Sequence, residues 1–328
     1  MHSARDASRF AALLVAQILT VFPLLAPSTP PRKVRAAGTP ACGRGAARAA
    51  MLTGLPGRNT RSTGTLLLAG LVMIAVFAPW LADVDPSSIA GEALRAPTAQ
   101  HPFGTDDLGR DLFSAVLYGT RTSLVVGFVA AALSLSVALL VGGTAAMRGG
   151  AVDQALMRGT EFVQALPRFF LIVLIVSLFG SVYGVIILVI GLTTWPATAR
   201  VLRAQVLSVL GRDFVLAARA SGGSDGAILV RHVLPHAAPV VAAEAAYTVG
   251  GAILAEAGLS FLGLGDPSVI SWGALLGGAQ HFVLEAWWMS VFPGIAITLT
   301  VLACNLMADA FVTPPTGTLR RGVRRFIP

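Results

Sequence analysis

Apolar runs dominate the chain, and most of them stop at charged residues. A helix rises 1.5 Å per residue, so crossing roughly 30 Å of hydrocarbon takes about 20 residues. Residues 65–82 meet this requirement, with no charge from Ser62 to Ala82. Residues 122–147 form a second run, bounded by Arg121 and Arg148. From Phe169 to Ala199 nothing is charged; the run is too long for one crossing and, halved, too short for two. Gly180-Ser181-Val182-Tyr183-Gly184 reads as a turn in its middle. Each half must then extend into its flank, back past Pro167 toward Gly159 and forward to about Arg203. Residues 237–258, interrupted by Glu244 and Glu256, and residues 286–308, bounded by Glu285 and Asp309, complete the set. The pattern predicts six crossings, near 65–82, 122–147, 159–179, 184–203, 237–258 and 286–308.

Composition agrees. The chain is 55% hydrophobic and only 12% charged, about half the charge of a soluble domain. Its class is all-α polytopic membrane protein. A net charge of +8 in so apolar a chain reports arginines that anchor inner loops, so no nucleic-acid partner is expected. With the N-terminus inside and six crossings, 21 of the 24 Lys and Arg residues fall inside, and only Arg95, Arg110 and Arg121 fall outside. Both termini are therefore expected in the cytoplasm. Trp80, Trp272, Trp287 and Trp288 are then expected at the outer interface, where indole rings favour the headgroup level. Cys42 and Cys304 lie in unlike settings and are expected to be free thiols.

Residues 1–60 are expected to be a poorly ordered extension. Within them 10–26 resembles the apolar region of a signal peptide, too short and too proline-broken to cross. The chain from Met51 onward is self-sufficient, which points to translation starting there. Residues 61–315 form the membrane domain, and 316–328 a basic cytoplasmic tail.

The most informative polar segment, 212–235, lies between the fourth and fifth crossings. Asp213 can cap a short helix, Gly222 and Gly223 can stop it, and Ser224 or Asp225 can cap a second, which Pro235 ends or follows. Small Ala217 and Ala218 allow close approach of a partner, and Phe214 and Leu216 can fill an apolar groove. An ordinary amphipathic interfacial helix explains these residues equally well. Glu244, Glu256, Asn305 and Asp309 lie in or at the ends of crossings and are candidate pathway residues. Glu256 and Asp309 also fit a hydrated headgroup position, and Glu244 is placed to pair with an arginine such as Arg200. His232 and His236 sit four residues apart, but Pro235 intervenes and no third ligand is near, so no metal site is expected. Gly142-Gly143 and Gly250-Gly251 suit close helix packing better than phosphate binding.

The loop resembles the docking loop of ABC importer permeases, matching it at Ala217, Ala218, Gly222, Leu234 and Pro235. Further segments are similar to one branch, the C-type permease of dipeptide, oligopeptide and nickel importers. They are the run from His101 through Asp111, the run from Gly251 through Gly265, Ser271-Trp272-Gly273, Phe292-Pro293-Gly294 and Asn305 through Asp309. The resemblance covers about residues 65–315. One position departs: the family usually has Glu where this chain has Leu216, and Arg212, Asp213 or Arg219 are candidates to compensate.

The resemblance implies a six-helix type I importer permease fold in the inner membrane, with the 212–235 segment, including Asp225, as coupling loop. It implies a homologous second permease, two ATPase subunits and an external binding protein. The chain has no G-x-x-x-x-G-K-[ST] segment, so ATP and Mg are expected on the ATPase subunits, and neither a cofactor nor a catalytic residue here. Peptides are the expected substrate, with nickel or another small solute as the alternative. A secondary transporter would call for midplane acids and inverted repeats, and only Glu244 comes near. The acidic outer loop, from Asp83 to about Tyr118, is expected either to face the binding protein or to be solvated with local Asp–Arg pairs.

Overall fold

The structure, a computed structural model, describes residues 59–82 and 84–312. The N-terminal extension, the Met51 start, Cys42 and the basic tail lie outside these residues. The chain runs α1 (Asn59–Leu81), α2 (Leu112–Arg148), α3 (Gly150–Ala165), α4 (Arg168–Phe179) and α5 (Tyr183–Leu210). Two short helices follow, α6 (Asp213–Ala220) and α7 (Asp225–Ile228), then a π-helical turn (Leu229–Val233), α8 (Leu234–Phe261), α9 (Trp272–Ala279) and α10 (Trp288–Val312).

Among the described residues five helices are long and apolar enough to cross, and a sixth crossing exists only if α3 and α4 are taken together. The expected continuous helix over 159–179 is not formed: α3 and α4 meet at a bend of 77°. Pro167 is the cause. It has no amide to continue the ladder, and it forces Leu166 out of the helical region, to ψ 133. The expected turn after α4 is present, with Gly180 at φ 92. The second crossing begins earlier than expected, at Leu112, so Arg121 is carried on α2 and not in the outer loop.

The two largest apolar centres among the described residues hold the bundle. Trp272, fully buried, packs with Leu112, Val116, Leu124, Val249 and Ile253 where α9 dips between α2 and α8. Val126, Ile172, Val176, Ile186, Ile190 and Leu259 join α2, α4, α5 and α8. Trp272 donates its ring N–H to Val116 O at 3.0 Å and Trp288 to Thr105 O at 3.1 Å, both indoles being buried. These two are therefore core anchors near the start of α2, covered by neighbouring segments, while Trp80 and Trp287 are exposed. An indole buries a large area, provided its one donor finds an acceptor.

The segment between α1 and α2 is tied to the bundle. His101 Nδ1 lies 2.9 Å from Asp111 Oδ1, and Asp111 Oδ2 accepts the Ser114 amide to cap α2. Asp106 accepts the Leu108 and Arg110 amides. Among the described residues no Asp–Arg ion pair forms in this loop; Asp85, Asp106 and Asp111 hold backbone amides instead. Burial pushes the Asp106 carboxyl above the usual range, with those amide bonds opposing.

Candidate functional site

Residues 212–235 fold as a hairpin packed on the helix ends. Arg212, and not Asp213, occupies the cap position of α6, and it makes no side-chain cap bond; Asp213 is the first helical residue. The expected glycine stop is present. Gly222 adopts φ 81, its amide donates to Arg219 O at 3.0 Å, and the Gly223 amide donates to Ala218 O at 3.1 Å. These paired bonds satisfy carbonyls that the last helical turn leaves free. A Cβ on Gly222 would meet nothing within 4 Å, whereas one on Gly223 would lie 2.9 Å from Ala218 O. Gly222 therefore supplies the conformation and Gly223 the close approach. Ser224 caps α7 by accepting the Ala227 amide. Arg219 and Asp225 pair across the bend at 3.5 Å, both exposed.

The second short helix is not a separate element. It runs through the π turn into α8, the Leu234 amide reaching past Val230 to Leu229 O, a wider turn. Pro235 opens α8, and His236 stacks on Phe214 with ring centroids 4.5 Å apart.

Burial sorts the loop residues into two faces. Val215, Ile228 and Val233 are buried with Ala146 of α2 and with Val206 and Val209 of α5, and Phe214 and Ala218 pack against them. Asp213, Leu216, Ala217, Ala220 and Asp225 are exposed, Leu216 to 52%. Phe214 and Ala218 thus hold the hairpin to its own bundle, while Leu216 and Ala217 face outward. Leu234 is partly buried at the head of α8, and Pro235 beside it is exposed.

The intramembrane candidates separate. Glu256 is 4% exposed, with Oε1 accepting the Ser260 and Ser271 hydroxyls at 2.7 Å each. It lies inside the bundle, which overturns the hydrated headgroup position. Asp309 is exposed and accepts the Tyr247 hydroxyl at 2.6 Å. Asn305 is exposed and Glu244 partly buried. Among the described residues Glu244 forms no ion pair with Arg200. Of the glycine pairs, Gly142 is the tight one: a Cβ there would lie 2.4 Å from Ala199 O. Cys304 is buried and free.

A second polar assembly lies between α3–α4 and α5, reaching into the expected third and fourth crossings. A cavity of about 450 Å³ is lined by Asp153, Met157, Arg158, Glu161, Arg200 and Arg203. Arg203 and Asp153 form a two-bond ion pair across it. A cavity of about 220 Å³ continues between the next turns of the same helices, lined by Gln164, Arg168, Thr193, Thr194 and Ala197 among others. The available signal was the distance of Arg168 from the Gly180 turn, which is too short for a full crossing.

Comparison with known proteins adds the following. The family model for binding-protein-dependent transport system inner membrane components matches residues 135–313. The dipeptide transport system permease protein DppC of Bacillus subtilis is 35% identical over 264 residues, covering 79% of this chain and 82% of that protein. An Escherichia coli protein named as a D,D-dipeptide transport system permease, DdpC, is 35% identical over 258 residues, covering 78% and 86%. Among solved structures the inward-facing methionine ABC transporter MetNI is similar in fold, with TM-score 0.50 and 18% identity, covering 62% of this chain and 98% of that one.

Proposed function

The chain belongs to the family of binding-protein-dependent transport system inner membrane components, and on that premise we propose that it is the permease half of an ATP-driven importer for short peptides. The relatives named as dipeptide permeases support the substrate class. The expected assembly pairs this multi-pass inner-membrane subunit with a second permease, two ATPase subunits that bind ATP and Mg, and an external binding protein. Arginine placement supports a cytoplasmic position for the 212–235 hairpin.

One observation carries the coupling role. The hairpin buries Val215, Ile228 and Val233 against α2 and α5, runs without a break into α8, and leaves Leu216 and Ala217 uncovered. A rigid hairpin gripped on one face by a moving ATPase would pass that movement to three membrane helices at once. Leu216 replaces the usual acidic contact with an apolar one, suited to a groove on the ATPase. Arg219 is engaged with Asp225, which leaves Arg212 and Asp213 as the polar candidates for that contact.

The test is reconstitution of the full transporter in vesicles, with ATP inside and binding protein outside. Uptake of a labelled dipeptide that requires all subunits is expected. Leu216→Asp should lower both ATPase co-purification and uptake. Dipeptide uptake by this chain alone, driven by an ion gradient, would overturn the reading.

A further inference from the structure

Arg168 opens α4, whose 12 residues reach the Gly180 turn. That helix is about 18 Å long; with the Gly180 turn at the outer edge and the helix upright, Arg168 sits roughly halfway through a 30 Å hydrocarbon layer. Thr194 lines the same cavity from α5, and its place eleven residues beyond Tyr183 gives about 17 Å, the same depth. Arg200, on the same stripe of α5, lies at about 26 Å. Both arginines are exposed, and neither forms an ion pair among the described residues. Arg203, by contrast, is matched by Asp153.

An unpaired arginine at such depth is costly in lipid, and such residues face a water-filled path or the bundle interior. Gln164, Thr193 and Thr194 continue the lining from Arg200 among apolar Val163, Leu166 and Leu171, so the wall is mixed. We propose that the α3–α4/α5 groove is the wetted inner half of the permeation path and that Arg168 and Arg200 form its carboxylate-selecting positions. The ligand class is a small solute with a free carboxylate, here the C-terminus of a short peptide. Two uncompensated positive charges in a partly desolvated groove attract anions and repel a bare dication, which separates peptides from nickel. The inference rests on the importer reading and adds to it where the solute passes and what it must carry.

The experiment uses the assembled transporter with Cys42→Ser and Cys304→Ser as background and Ala197→Cys as probe, Ala197 being an exposed lining residue. Anionic and cationic methanethiosulfonate reagents are compared. Anionic reagent should react about tenfold faster, within the range that local charge concentrates ions. Arg168→Gln with Arg200→Gln should erase that preference, and turnover with binding protein, ATP and dialanine should slow labelling. The double substitution should also lower dialanine uptake about tenfold, about 1.4 kcal/mol. Equal reaction with both reagents, or none, would overturn the proposal. So would protection that follows phosphatidylglycerol content and ignores peptide, since the groove would then belong to a lipid headgroup. If the double variant assembles poorly, the labelling preference of Ala197→Cys alone still decides. Absence of dialanine uptake by the unsubstituted transporter counts against the importer reading; normal uptake by the double variant counts against this inference only.

Discussion

The Ser271 hydroxyl donates to Glu256 Oε1 at 2.7 Å while its oxygen accepts the Ala274 amide at 3.1 Å. Ser271 caps α9, so the carboxylate on α8 holds the entry of the dipping helix. A Cβ on Gly273 would lie 2.5 Å from Ala257 Cα, so α9 rests directly on the α8 backbone. Glu256→Ala would strand two buried hydroxyls and leave a void. It is expected to cost about 2–4 kcal/mol and to lower the melting temperature of the purified protein. Glu256→Gln keeps an acceptor and should cost about 1 kcal/mol or less. Equal melting of the two variants would contradict the capping role.

Asp266, in the loop after α8, accepts the Tyr183 amide at 2.8 Å and so caps α5 from 83 positions away. Its carboxyl is held below the usual range by the Ser268 hydroxyl, then by the Ser268 and Tyr183 amides. Because the folded value lies below the unfolded one, the stabilisation is present above the ordinary carboxylate pKa of about 3.9 and fades as pH falls through the folded value. Asp266→Ala should destabilise the first turn of α5 by about 1 kcal/mol at pH 7. Amide exchange at Tyr183 measures this: the difference between wild type and variant should shrink on acidification, and a difference that grew would refute the assignment.

Gly142 lets α2 touch α5. A Cβ there would lie 2.4 Å from Ala199 O and 3.2 Å from Arg203 N, while at Gly143 the nearest atom, Leu229 Cδ2, is at 3.7 Å. Gly142→Ala is expected to cost about 1–3 kcal/mol through overpacking and to disturb the Arg203–Asp153 pair. Gly143→Ala should be neutral or slightly stabilising, since alanine favours helix. Folded yield after membrane extraction distinguishes them.

The two bend glycines should differ in kind. Asp at Gly222 meets a left-handed backbone, with φ 81. Space there is open, and Asp is among the residues that tolerate a positive φ, so a cost of about 1 kcal/mol and partial coupling are expected. Gly222→Val should cost more, because a branched side chain resists that conformation. Gly223→Ala should displace α7 through contact with Ala218 O. The ratio of peptide imported to ATP hydrolysed orders these: Gly222→Asp nearest wild type, the other two lower.

Much of the fold was legible because membrane insertion is a one-dimensional constraint. Uncharged length and arginine position are properties of the chain itself, and five of the six crossings appear close to the expected positions. The hairpin was legible because caps and glycine stops act within a few residues. Local chemistry could not reveal that the ladder would widen into a π turn that joins α7 to α8, since that depends on which carbonyls remain within reach.

The sequence by itself determined the class, five of the crossings and the short-helix hairpin between α5 and α8, because each follows from burying apolar length and satisfying backbone groups locally. Only the tertiary structure decided which polar groups are hidden and which are exposed. Glu256, Trp272 and Trp288 turned inward because a partner hydroxyl or carbonyl from a distant segment met each one. The Pro167 bend brought Arg168 to the cavity that Thr194 of α5 also lines. Depth and pairing arise from helices crossing in space, and the order of residues along one chain does not contain them.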